Sequence, residues 1–162
     1  MLLTNRPLKE KEIFEVKLDR LNNRWTSSLM IGALFESPEK LHLPVTALGL
    51  KKNAIVISGE TLFQNGHKME NLGFNVDTLT TNQSVGIIVD AQRNLKVLIN
   101  GQDKGIIVQN VPQVCYGLID LYGQCEEISI VRHHHNREND TIAIGKKNAS
   151  QCSRIGKKSA KK

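Results

Sequence analysis

The feature that most restricts this chain is a succession of short Ile- and Val-rich runs set apart by turn residues. Phe14, Val16 and Leu18 alternate with Glu15, Lys17 and Asp19, the period-two pattern of a strand with one buried face. Further runs follow at 28–32, 54–58, 85–89, 95–99, 106–108, 116–119 and 128–131. Branched side chains suit the pleated surface of a sheet, and many short strands in series argue for a sandwich or a barrel. Helix signals are weak. Ser37-Pro38-Glu39 places a cap residue ahead of a first-turn proline, and Pro44 stops anything begun there. The expected fold class is all-β, an antiparallel β-sandwich.

Two Asn-Gly pairs punctuate the runs. Asn65-Gly66 separates Leu62-Phe63-Gln64 from His67-Lys68-Met69, and Asn100-Gly101 separates Leu95–Ile99 from Asp103–Ile106. Both central residues of a type I′ turn need positive φ, which Asn and Gly tolerate best, so two hairpins are expected.

The formal net charge of +6 invites a nucleic-acid reading until it is divided along the chain. Residues 132–162 carry nine Lys/Arg against Glu138 and Asp140, a balance of +7, whereas the preceding 131 residues carry 13 basic and 14 acidic side chains. The basicity belongs to the tail, and the folded part has no net-charge footprint for a phosphate backbone. Beyond Val131 the strand pattern collapses into polar residues and a lysine run, with only Ile142, Ala143, Ile144 and Ile155 to bury. Too little apolar surface is available to offset the entropy of ordering. Three segments are therefore expected: an N-terminal extension at 1–11, one domain at 12–131, and a disordered basic tail at 132–162.

No apolar run is long enough to span a bilayer, and the N-terminus lacks the apolar core of a secretory signal. Cys115, Cys125 and Cys152 form neither an even framework nor a C-x-x-C pair, which favours a reducing, cytoplasmic setting. Phosphate-cradling glycine loops, the Gly-x-Ser-x-Gly elbow and the His-Glu-x-x-His metal motif are all absent. No catalytic residue, cofactor or metal site is expected. The His133-His134-His135 tract has no companion ligands at a spacing that closes a zinc site.

Several landmarks occur in a particular order. An amphipathic strand, a polar turn at Asn22-Asn23-Arg24, the lone Trp25 and a second strand ending in Ile31-Gly32 open the domain. A connection containing Pro38 and Pro44 follows, then Ser58-Gly59 with Asn65-Gly66, and Val85-Gly86 with Ile99-Asn100-Gly101. Val111-Pro112-Gln113-Val114 precedes Ile119-Asp120-Leu121-Tyr122-Gly123. This order resembles the neuralized homology repeat, whose closing strands commonly read valine-aspartate-leucine-tyrosine-glycine, and the stretch 72–79 resembles its multi-repeat members. Many members carry a tryptophan where Ile55 stands, so the core here needs compensating volume. The resemblance implies a SPRY-like sandwich and a role in protein binding, often beside ubiquitin ligases that carry a RING finger. Three scattered cysteines cannot supply such a finger. A link to ubiquitin transfer then means presenting a substrate or recruiting a ligase, as an adaptor.

The residues expected to bind a partner are Asn22, Asn23 and Arg24 in one turn, and Tyr122 and Gln124 at the end of a later strand. A guanidinium forks onto a carboxylate, and a tyrosine supplies contact area with a hydroxyl handle. Tyr122 reads equally as a buried polar plug. Trp25 is favoured as a core plug over a binding anchor. Asp120, within an apolar run, is favoured as a hydrogen-bond acceptor for a neighbouring loop. A second functional reading assigns the tail's charge to weak contact with anionic lipid or nucleic acid.

Overall fold

A computed structural model describes residues 1–24, 26, 29–133 and 144–145. Trp25 and most of the tail lie outside the described residues, and with them the readings made of Trp25 and of the tail beyond His133 apart from residues 144–145. The described strands form two antiparallel sheets. The first runs β1 (Leu2–Thr4), β10 (Tyr116–Leu121), β3 (Leu29–Leu34), β4 (Ala54–Ser58), β5 (Thr61–Gln64), β6 (His67–Asn71), with β12 (Ile144–Gly145) outside β1. The second runs β11 (Cys125–Val131), β2 (Ile13–Leu21), β7 (Ser84–Val89), β8 (Leu95–Ile99), β9 (Gln102–Val108). Helical structure among the described residues amounts to single 3-10 turns at Pro38–Lys40, Ala47–Gly49 and Val76–Thr78.

The core lies between the sheets. Phe14, Val16 and Leu18 of β2 meet Ile31 and Ala33 of β3, Ile55 and Ile57 of β4, and Val85, Ile87 and Val97 of the hairpin β7–β8. Ile55, where the family often has tryptophan, is fully enclosed here. Both expected hairpins form. Asn65 and Gly66 have φ of 53° and 78°, Asn100 and Gly101 of 51° and 75°, the positive values that a type I′ turn demands.

Two features were not foreseen. Strand β3 is buried along its whole length, because residues 36–53 fold over the outer face of the first sheet. Ala47 and Leu50 of that segment pack against Met30, Leu34, Val56 and Leu118, with Leu41, Leu43 and Leu48 at the margin. A strand covered on both faces reads as a continuous apolar run rather than an alternation. The second feature is the N-terminus. Residues 1–11, set apart by sequence as an extension, enter the sandwich: Leu2 and Leu3 are buried and pair with Ile119 and Leu118 of β10. At the other end, Ile144–Gly145, within the stretch expected to be disordered, pair with Thr4 and Leu3.

Asp120 accepts the backbone N–H of Ala47 at 2.7 Å and pairs with the Met1 amino group at 3.1 Å. The loop-bonding role expected for it is the one observed, and the bonds offset the burial of its charge.

Candidate functional site

Strands β2 and β11 pair antiparallel, so the C-terminal end of β2 meets the N-terminal end of β11. Leu21 opposes Cys125, and just beyond them the Asn22 N–H donates to the Gln124 carbonyl at 2.6 Å. The two expected turns therefore stand side by side at one end of the sandwich. Asn22 also shapes its own turn, its Oδ1 accepting the Arg24 N–H at 3.1 Å, a local bond that Asn readily makes. Its Nδ2 donates to Glu126 Oε1 at 2.9 Å. Gln124 reaches the other way, donating from Nε2 to the Asp77 carbonyl at 3.3 Å, which brings the turn Val76–Thr78 to the same end.

The side chains divide by exposure. Asn22 and Gln124 are partly buried and hold the loops together, whereas Asn23 and Arg24 are exposed and Tyr122 is 53% exposed. Of the two readings left open for Tyr122, the buried plug is excluded. The Arg24 guanidinium has no ion-pair or hydrogen-bond partner among the described residues.

Sequence reasoning missed Glu126, Glu127 and Arg20. The pairing of β11 with β2 slips on either side of Glu127, an irregularity of the bulge type that bends a strand and re-aims its side chains. Glu126 there takes Asn22 and also pairs with Arg20 Nε at 3.2 Å, and Glu127 stands 3.7 Å from the same nitrogen. The adjacent acids at the start of a strand, breaking its alternation, were the available signal. The end thus presents the exposed Arg24 and Tyr122 beside two glutamates that share one guanidinium, that of Arg20. Burial pushes the Cys125 thiol, beneath this end, up to about 11, which suppresses the thiolate that a nucleophile would need.

Comparisons with known proteins agree with this architecture. The family model described as Neuralized matches residues 1–132. The solution structure of the NHR domain in Neuralized from Drosophila melanogaster superposes with a TM-score of 0.60 at 19% identity, over 80% of this chain and 72% of that one. The crystal structure of the Drosophila melanogaster neuralized NHR1 domain gives 0.58 at 18% identity, over 81% and 78%. The SPRY domain of human HERC1 gives 0.51 at 13% identity, over 73% and 72%. These likenesses establish the SPRY-like sandwich. The family match takes in every described strand except β12, and on that match the chain belongs to the Neuralized family.

Proposed function

We propose that this Neuralized-family domain is a non-enzymatic recognition module that binds a peptide or protein partner through Asn22, Asn23, Arg24, Tyr122 and Gln124. The observation that carries the reading is the 2.6 Å bond from the Asn22 N–H to the Gln124 carbonyl. It ties two distant loops into one surface and leaves Arg24 and Tyr122 exposed upon it. Binding residues commonly stand on loops positioned by a rigid scaffold. The ligand that fits is a short polar segment with a carboxylate for Arg24 and hydrogen-bonding side chains for the amides. Membership of the family supports placing the module beside ubiquitin ligases, as an adaptor or substrate-recognition element. Buried, unpaired Cys115 and Cys125 accord with a cytosolic setting.

The test compares proteins captured from cytosol by the full chain with those captured by its Arg24→Ala and Tyr122→Ala variants. Selective loss of the same partners by both, with unchanged melting, supports the surface; full retention by both places recognition elsewhere. The +7 balance of residues 132–162 favours a second reading, contact of the tail with anionic lipid or nucleic acid. Such binding would weaken steeply with added salt, and a packed protein interface would not.

A further inference from the structure

The outer face of the second sheet carries a buried charge. Cross-strand partners share a face, so the pairings place Glu15 of β2 in a row with Val131 of β11, Gly86 of β7 and Leu98 of β8. Ile13 and Ile88 flank that row on one side, and Lys17, Ser129 and Ser84 on the other. The Glu15 side chain on this face is only 4% exposed. The base of that side chain lies against the bare backbone of β7: a Cβ on Gly86 would stand 2.8 Å from the Glu15 Cβ. Ser84 Oγ donates to Oε1 at 2.5 Å.

The cations on this face are divided unequally. Lys17 pairs with Asp19 and Lys96 with Asp103, each at 3.1 Å. Glu15, the most enclosed of these acids, has neither. Its Oε2 meets His133 Nε2 at 2.6 Å, from a residue beyond the end of β11, outside both sheets, whose side chain is one-third exposed. Among the described residues that ring makes no other polar contact. A carboxylate sunk in a sheet face is costly without a cationic or hydrogen-bonding partner. Here Ser84 serves Oε1, and the partner of Oε2 comes from a residue at the start of the tail. Half-buried Ile13, Ile88, Leu98 and Val131 form an apolar rim around it.

We propose that Glu15, Ser84 and Gly86 form the floor of a second binding site, which takes an arginine side chain from an extended segment of a protein partner and which His133 fills in cis. A guanidinium offers forked donors matched to a carboxylate, where imidazole offers one nitrogen. In an extended segment, residues two positions either side of the arginine point the same way and lie on the apolar rim. The site stands apart from the loop end and does not depend on it.

The experiment follows backbone amide resonances of the full chain on titration with the blocked pentapeptide Leu-Gly-Arg-Gly-Leu. A control peptide has Gln in place of Arg. In His133→Ala the arginine peptide is expected to shift the amides of Glu15, Ser84 and Gly86 saturably. The wild type should bind about fivefold more weakly, because the cis imidazole lowers the competent fraction. Adding Glu15→Gln to His133→Ala should abolish the shifts. The proposal is overturned if His133→Ala shows no saturable shift, if the two peptides act alike, or if the doubly substituted chain binds undiminished. Should that chain fail to fold, the two peptides on His133→Ala alone decide the matter. A contact that merely anchors the tail yields the no-shift result.

Discussion

Phe14 lies against the backbone of Gly117, so closely that a Cβ on that glycine would stand 2.5 Å from the ring's Cδ1 and 2.7 Å from its Cγ. The two residues belong to different sheets, and the ring is fully buried. The missing side chain on β10 is what makes room for the largest core residue of β2 between the layers.

Gly117→Ala is therefore expected to destabilise the domain by about 1–3 kcal/mol, the range typical of overpacking a core. Urea unfolding measures it. Combining it with Phe14→Leu, which frees room at the contact, should cost less than the sum of the two single changes. Strict additivity would mean that the residues do not share the space.

Removing the Asp120 carboxylate should loosen the cover over the first sheet. Asp120→Ala leaves the buried N–H of Ala47 without its acceptor, a loss of about 1–3 kcal/mol. Hydrogen exchange is expected to quicken at Ala47 and in the turn through Leu50, while β7 and β8 stay protected. Asp120→Asn keeps an acceptor and should fall between the two.

At the loop end, Arg24→Ala and Tyr122→Ala should change stability by no more than about 0.5 kcal/mol, as expected of exposed side chains. Each should weaken partner binding by about 1–3 kcal/mol if it is a hot spot. Calorimetry with a captured partner, alongside thermal melts, separates the two effects. Loss of folding in either variant would contradict their observed exposure.

Burial raises the thiols of Cys115 and Cys125 from 9.0 to about 11. A raised folded value means that the native state favours the protonated thiol. The associated stability is full below pH 9.0 and is lost as pH climbs toward about 11. Melting temperature should fall across that window, and Cys115→Ala with Cys125→Ala should flatten this part of the fall. At neutral pH both thiols should resist a thiol reagent until the chain unfolds.

Much of the architecture was legible because local physics dictates it. The runs 54–58 and 95–99 became strands β4 and β8 with those bounds, and both Asn-Gly pairs became turns. Leu2–Thr4 escaped notice because three residues are too few to display a period. Residues 36–53 escaped because a covering loop has leucines but no repeat; only the turn at Pro38–Lys40 was foreseen. At the site, exposure and turn chemistry pointed to Asn22 through Arg24 and to Tyr122, and their expected neighbourhood was observed. The partners of Asn22 were not legible. A bond to residue 124 or 126 depends on which strands pair and on the slip at Glu127, and neither leaves a periodic trace.

Strand β2 also sets a distance. Glu15 stands near its start and Asn22 just past its end, so the Glu15–His133 contact and the loop surface are separated by seven residues of strand, at most about 23 Å at ~3.3 Å per residue. An extended partner would need about that much chain to touch both. Linkage of two weak contacts over a fixed span multiplies their strength through effective concentration, and the gain vanishes when the connecting segment is too short to reach. If both proposed surfaces engage one partner, the length of β2 would act as a ruler that selects among ligands by the spacing of their contacts.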